Sequence, residues 1–301
     1  MERIAIETEE DYQKLTRLLE SFGVEVHRPL INDENNFGAY MLNLENGLKW
    51  FQHPPMNPRD ELLVAGQKLF VNRPWGECYV DFYDHIIEKI QGQVFHIKDF
   101  PDIKDICGPS ITRVGKDLYI DGVDVAKMQL FSKYFPEYRI HHVKTGGHSD
   151  AVYCPVKPGL IVSLKDVPTY EHTFPGWEVV YLPYQHWEAV KSWSDLKAKN
   201  QGRWWIPGEE KNDDLVEFVN VWLDKWVGYV EETVFDINML VIDEHNVICN
   251  NYNEQTFRAF ERHNVTPHVC NFRHRYFWDG GLHCISLDLN RAGDMVDYHV
   301  K

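Results

Sequence analysis

Four stretches of the chain repeat one pattern: a short apolar run, a turn, and a second apolar run. The first is Leu62-Leu63-Val64-Ala65-Gly66-Gln67-Lys68-Leu69-Phe70-Val71, and the second is Ile111-Thr112-Arg113-Val114-Gly115-Lys116-Asp117-Leu118-Tyr119-Ile120. A third runs from Ala151 to Ser163 across Lys157-Pro158-Gly159, and a fourth from Met239 to Ile248. Turn residues between two apolar runs predict paired antiparallel strands. Helical spacing follows most of these hairpins. Phe82, Ile86, Ile87 and Ile90 share one face, as do Val125, Met128, Phe131 and Phe135, and later Phe257, Phe260 and Val265. Further short strands are expected at Gln93 to Ile97, Tyr138 to Val143 and Pro267 to Phe272. At the N-terminus the pattern predicts a helix over Tyr12 to Leu19 and a strand over Val24 to His27. Near the C-terminus, alternating apolar residues after Cys284 predict one more strand.

Repetition of a small supersecondary unit points to a stacked or radial α/β array, with an ordinary α/β or α+β sheet as the alternative. The gap between the third and fourth hairpins is the widest. Its tryptophan- and charge-rich stretch from Trp187 to Val230 is read as an insertion.

Polar residues recur at one phase of the repeat. Asn57-Pro58-Arg59-Asp60 stands before hairpin one, and Cys107-Gly108-Pro109-Ser110 before hairpin two. Gly146-Gly147-His148-Ser149-Asp150 precedes hairpin three, and Asp236-Ile237-Asn238 precedes hairpin four. Cys284 follows the pair Gly280-Gly281, whose lack of side chains is expected to leave the thiol open to approach. If the modules surround an axis, these positions meet at one end of it. The shared pocket would hold a thiol, an imidazole and several carboxylates. A thiolate needs a base or a cation beside it at neutral pH, and His148 can exchange a proton in that range. Paired carboxylates suit a planar cation such as guanidinium.

Composition narrows the partners. With 31 basic and 46 acidic residues the net charge is −15, which disfavours nucleic acid and anionic membranes as partners. No apolar run is long enough to cross a bilayer, and the acidic N-terminus does not resemble a signal peptide. The 6 cysteines form no CxxC pair, so reduced thiols in a cytoplasmic setting are expected. His141, His142 and His148 complete no recognised metal spacing, and no glycine-rich nucleotide loop occurs. No metal and no cofactor are expected.

Several of these segments resemble the glycine amidinotransferase family. They are Asn57-Pro58-Arg59-Asp60-Glu61-Leu62-Leu63-Val64, Arg113-Val114-Gly115-Lys116-Asp117-Leu118, His148-Ser149-Asp150-Ala151, Asn238-Met239-Leu240-Val241-Ile242-Asp243-Glu244 and Gly280-Gly281-Leu282-His283-Cys284. They occur in the family's order, and His27-Arg28-Pro29 is similar too. The family belongs to the guanidino-group-modifying superfamily, with arginine deiminases and dimethylarginine hydrolases. The resemblance implies a five-module pseudo-symmetric α/β propeller (pentein-like). It would form a single domain over 1–301 with an insertion at 184–232.

By the same resemblance Cys284 is the nucleophile and His148 the acid–base residue, while Asp60 and Asp150 grip the guanidinium. Asp236, Arg59, Arg273 and Cys107 complete the candidate substrate-binding set. The implied activity moves an amidino group from an arginine-like donor to an amine through an amidino-cysteine. Small guanidino donors and amine acceptors are the expected partners, with a homodimer as a candidate assembly. Two positions depart from the family. Cys107 stands where the family has the acid that partners the histidine; Asp102 and Asp105 lie at the wrong offset, and Asp236 is a candidate substitute. Val167 stands where the family has an arginine for the donor carboxylate, a role open to Arg273, Arg275 or Lys165. The alternatives are a guanidine hydrolase, with water as acceptor, and a non-catalytic relative that binds a guanidino ligand.

Overall fold

The repeated pattern folds into repeated sheets. A computed structural model of the chain describes residues 2–28, 41–43, 49–51, 56–71, 86–103, 107–145, 148–163, 170–182, 211, 213, 236–278 and 280–299. Among the described residues, the helix α1 (Glu2–Ser21) and a two-stranded ribbon, β1 (Met41–Asn43) and β2 (Lys49–Phe51), are followed by four three-stranded sheets. The first holds β3 (Leu62–Ala65), β4 (Lys68–Val71) and β5 (Gln93–His96). The second holds β6 (Ile111–Val114), β7 (Asp117–Ile120) and β8 (Arg139–His142). The third comprises β9 (Tyr153–Lys157), β10 (Leu160–Ser163) and β11 (Glu178–Tyr181), and the fourth β12 (Leu240–Val241), β13 (Asn246–Cys249) and β14 (Thr266–Val269).

Each sheet has the same wiring. Its first two strands form an antiparallel hairpin, and the third returns parallel to the second. A parallel return needs a crossover. The helices Met128–Tyr134 and Glu254–Arg262 supply it in modules two and four, and the short helix Tyr170–Thr173 lies in the crossover of module three. The tight hairpins one and two turn on Gly66 (φ 61°) and Gly115 (φ 56°), a backbone region that side chains resist.

The core is a succession of interfaces. Phe70, Phe100, Leu118, Phe131 and Phe135 join modules one and two. Tyr119, Tyr153, Ile161 and Phe174 join two and three, and Val156, Val162, Met239, Val247 and Phe260 join three and four. Module four then packs through Leu240, Ile248 and Phe272 on Leu15 of α1 and on Leu282 and Ile285. A few residues on, Leu287 and Leu289 rest against Leu62, Leu69 and Val71 of module one. Full burial of such a side chain is worth roughly 1.5–3 kcal/mol, so these interfaces hold the modules in register.

Three expectations need correction. Residues 24–28 form no strand. The segment after Cys284 is not a strand either: residues 282–285 form turns and 286–288 lie outside any ladder. Val125 leaves the predicted helical face and is 63% exposed. In module three the parallel strand is β11, which the hydrophobic pattern does not single out. Phe82, Lys165, Val167 and the insertion at 184–232, apart from Lys211 and Asp213, lie outside the described residues. Among the described residues no helix is long and apolar enough to cross a membrane.

Candidate active site

A single helical turn stands directly before each of hairpins one to three: Pro58–Glu61, Gly108–Ser110 and Ser149–Ala151. Proline opens the first turn and is the second residue of the next, positions where its missing N–H costs nothing and its fixed φ fits. These turns pack against one another, the second touching both of the others. Gly108 permits the first contact, because a Cβ there would lie 2.3 Å from the Arg59 carbonyl oxygen. The polar phase of the repeat is thus gathered in space.

The loop 280–284 closes on this cluster through Asn238, which is buried (1% exposed) at the entry to β12. Its Oδ1 accepts from two successive backbone N–H groups, His283 (2.8 Å) and Cys284 (2.9 Å). Its Nδ2 donates to the Asp150 carbonyl (3.2 Å) and to Cys284 Sγ (3.1 Å). The glycine pair makes this approach feasible. A Cβ on Gly281 would lie 2.7 Å from Asn238 Cβ, and one on Gly280 would lie 2.3 Å from Asn57 Oδ1. The glycines therefore press the loop inward, and they do not expose the sulfur as expected: Cys284 is 8% exposed.

Asp150 faces the thiol from the turn before hairpin three. Its Oδ2 accepts from His283 Nδ1 (2.8 Å) and from the Cys284 thiol (3.5 Å). Its Oδ1 is buried and has no hydrogen-bond partner among the described residues. Burial pushes the Cys284 thiol well above its ordinary value, and the charges of Asp150 and Asp60 push it the same way. Burial also opposes ionisation of Asp150. The hydrogen bond from His283 and the charges of His283, His148 and Arg59 outweigh it and hold that carboxyl below its usual range. His283 is lowered, first by burial and then by Arg59. The resting site pairs a protonated thiol with an ionised carboxylate, and one oxygen of that carboxylate is unused.

His148 caps the same turn, and its Nε2 lies 3.6 Å from Cys107 Sγ. The thiol before hairpin two thus touches the imidazole before hairpin three. Among the described residues no group of three His, Cys, Asp or Glu side chains is arranged to hold a metal ion.

No family model matches the chain. Its sequence is 21% identical over 263 residues to the L-arginine:L-lysine amidinotransferase of Pseudomonas savastanoi pv. phaseolicola, covering 84% of this chain and 58% of that protein. It is 22% identical over 279 residues to the mitochondrial glycine amidinotransferase of Gallus gallus, covering 84% and 51% respectively. The chain therefore spans little more than half the length of these curated relatives. Inosamine-phosphate amidinotransferase StrB1 from Streptomyces griseus superposes with a TM-score of 0.71 over 100% of this chain and 85% of that one, at 18% identity. The amidinotransferase SxtG of Microseira wollei, from the saxitoxin biosynthetic pathway, gives 0.68 over 98% and 86%, also at 18% identity. The chain has the amidinotransferase fold. The resemblance expected from its short motifs thus extends across most of its length.

Within this amidinotransferase fold the candidate residues separate into groups. Cys284, His283, Asn238 and Asp150 form one connected set, and the charge of Asp60 reaches the same sulfur. Cys107 and His148 form a second pair, linked to the first by the charge of His148 on Asp150. Arg59 anchors the loop: its Nε donates to the His283 carbonyl (2.8 Å) and an Nη to Asp288 (2.7 Å).

Arg273 is not brought to the site. Its guanidinium donates to Asp11, to Glu10 and to the Glu7 carbonyl, all on α1. Arg275 turns to Asn271 and the Phe272 carbonyl. Asp236 accepts from Asn251 at 2.7 Å and its charge bears on Cys249, which places it with the end of β13. Asp102 pairs with Lys133 at 2.7 Å, on the surface. Two residues of the connected set, Asn238 and His283, had no assigned role in the sequence. Their signal was position alone, since each sits within a recurring polar phase.

Proposed function

We propose that this site transfers an amidino group from an arginine-like guanidino donor to an amine through a covalent amidino-cysteine on Cys284. The observation that carries the reading is Asp150: a buried, ionised carboxylate with one oxygen on the thiol and the other unmatched. An orphaned buried acceptor costs roughly 1–3 kcal/mol, and a guanidinium N–H would recover it. Asp60 offers a second carboxylate to the same planar cation. Burial does most to keep the thiol protonated and the two carboxylates add to it; the arriving positive charge offsets those carboxylates, so the sulfur becomes more nucleophilic as substrate binds.

Sulfur then forms a bond to the guanidinium carbon. The bond from that carbon to the substituted nitrogen breaks, and the proton that left the thiol ends on the departing amine, delivered by His148. The amidino-cysteine keeps the positive charge. An acceptor amine gives a proton to His148, attacks the same carbon and regenerates the thiol. Two half-reactions sharing one enzyme-bound intermediate give ping-pong kinetics.

Cys107 fits the role of His148's partner in this scheme. A thiol is a weaker hydrogen-bonding group than a carboxylate, so His148 would be oriented less firmly and turnover would be slower than with an acid at that position. We also infer a single domain in which the four modules close into a ring. The 280–289 segment and α1 stand in the fifth place, packing on module four on one side and module one on the other.

Intact-protein mass spectrometry after incubation with arginine and a panel of other guanidines tests the chemistry. The expected result is an amidino adduct on the native protein that is absent from Cys284→Ser and discharged by an added amine. An adduct that persists in Cys284→Ser would remove the nucleophile. Citrulline and ammonia as products would select a hydrolase, and saturable guanidine binding with no adduct would select a non-catalytic binder.

A further inference from the structure

Adjoining the thiol site, whose Asp150 and His283 also line it, the first strands of the four sheets enclose a cavity of about 150 Å³ with residues 287–291. This is far above the roughly 10–15 Å³ that one water needs. Leu62, Ile111, Met239 and Leu287 are among its apolar walls, while its charged lining is Arg59, Arg113, Arg291, Asp288 and Asp150, with His283 beside them. Asp150 directs only its Oδ2 to His283 and Cys284, and its Oδ1 is the unmatched oxygen assigned above to the guanidinium. Among the described residues Asp288 is the lining carboxylate on which all three guanidinium groups converge, at 2.7 Å (Arg59), 3.2 Å (Arg113) and 3.4 Å (Arg291).

Among the described residues three arginines face two lining carboxylates, Asp288 and Asp150, which leaves a surplus of one positive charge, although the chain as a whole carries −15. Apolar walls strengthen that field, because they lower the local dielectric response. The groups are also fixed in place. Arg291 is held by the Val241 and Ile242 carbonyls, and Arg59 by the His283 carbonyl. Arg291 is 39% exposed, which gives the cluster a route to solvent.

We propose that this arginine cluster is a binding site for a small inorganic oxyanion, beside the guanidino site and independent of the amidino chemistry. Planar guanidinium forks match the paired oxygens of such an ion. Because Arg59 spans Asp288 and the His283 carbonyl, an anion there would share the residue that anchors the nucleophile loop.

Calorimetric titration of sodium phosphate into the full chain at low ionic strength provides the test. One saturable site is expected, present equally in Cys284→Ser, so that loss of the amidino reading would not affect it. Arg113→Gln and Arg291→Gln should each weaken binding about tenfold, the loss expected for a hydrogen bond between charged groups. Asp288→Asn should act in the opposite direction, tightening binding about tenfold because it removes the competing carboxylate. A misfolded variant cannot produce that gain. Heats that never saturate, or a saturable site indifferent to all three substitutions, would overturn the proposal.

Discussion

Cys284 and Cys107 belong to the same cluster of turns, yet their surroundings are unlike. Cys284 is buried, receives an amide hydrogen bond from Asn238 and donates to Asp150, and its own backbone N–H is fixed by the same asparagine. Cys107 is half-buried and meets the His148 ring at 3.6 Å. The first thiol sits in a dense polar network, while the second makes a soft contact with a ring that must move protons. The contrast suggests a division of labour in which one arm is rigid before substrate arrives and the other is adjustable.

The largest effect should come from removing the rigid arm's sulfur. Cys284→Ser is expected to lower turnover by roughly 10⁴-fold or more, as loss of a covalent nucleophile does, measured as release of the amine product from a guanidino donor. Residual turnover within tenfold of native would break the comparison at its root. Next is Asn238→Ala, which strands the buried N–H of Cys284, leaves that of His283 with only the long bond to the Asn238 carbonyl, and should cost about 1–3 kcal/mol in denaturant unfolding. A loss near zero would mean that the loop is held by other contacts.

On the adjustable arm, Cys107→Asp should raise turnover, by about tenfold if orientation of His148 is limiting. Cys107→Ala should leave it at or below the native rate. If both substitutions act alike, the sulfur–imidazole contact has no role. A subtler sign concerns the resting thiol. Alkylation of ligand-free Cys284 by iodoacetamide should be slow at neutral pH and climb at pH values above the ordinary thiol range, since its thiol is raised. Asp150→Asn should shift that climb to lower pH by removing a repelling charge.

The smallest expected change is in acid stability. Burial opposes ionisation of Asp288, but Arg59, Arg291 and Arg113 hold its carboxyl well below the ordinary range. Its stabilisation is therefore complete above the unfolded carboxylate value, about 3.9, and is lost as pH falls toward the folded value. Asp288→Asn should flatten the low-pH limb of a stability curve measured by urea unfolding.

Much of the scaffold could be read from the chain because local rules dictate it. Gly66 and Gly115 force tight reversals, and the apolar runs flanking them have nowhere to go but into paired strands. The segment after Cys284 misleads for a physical reason. Leu282 and Ile285 enter one core while Leu287 and Leu289 enter another, so the alternation reflects a bridge between two clusters where a strand ladder was expected. The positions of Cys284, Asp150 and His148 were legible from their shared phase before the hairpins. The destination of Arg273 was not, because its acidic partners are 262 and 263 residues away on α1. The role of Asn238 is not legible, because an asparagine before a strand resembles an ordinary turn residue, and its bonds to the loop depend on a fold-wide meeting.

The contacts of α1 extend to the sulfur. Glu7 meets His274 at 2.6 Å, Thr8 accepts from Trp278 at 2.8 Å, and Asp11 holds Arg273. These anchors grip the strip of chain that runs straight into the glycine pair, so the helix works as a splint for the nucleophile. Peeling it back should unsettle the thiol even though no atom of residues 2–21 needs to touch a substrate. Hydrogen exchange in α1 and in residues 280–285 is then expected to quicken together in Asp11→Ala, and independent rates would show that the splint carries no strain to the loop.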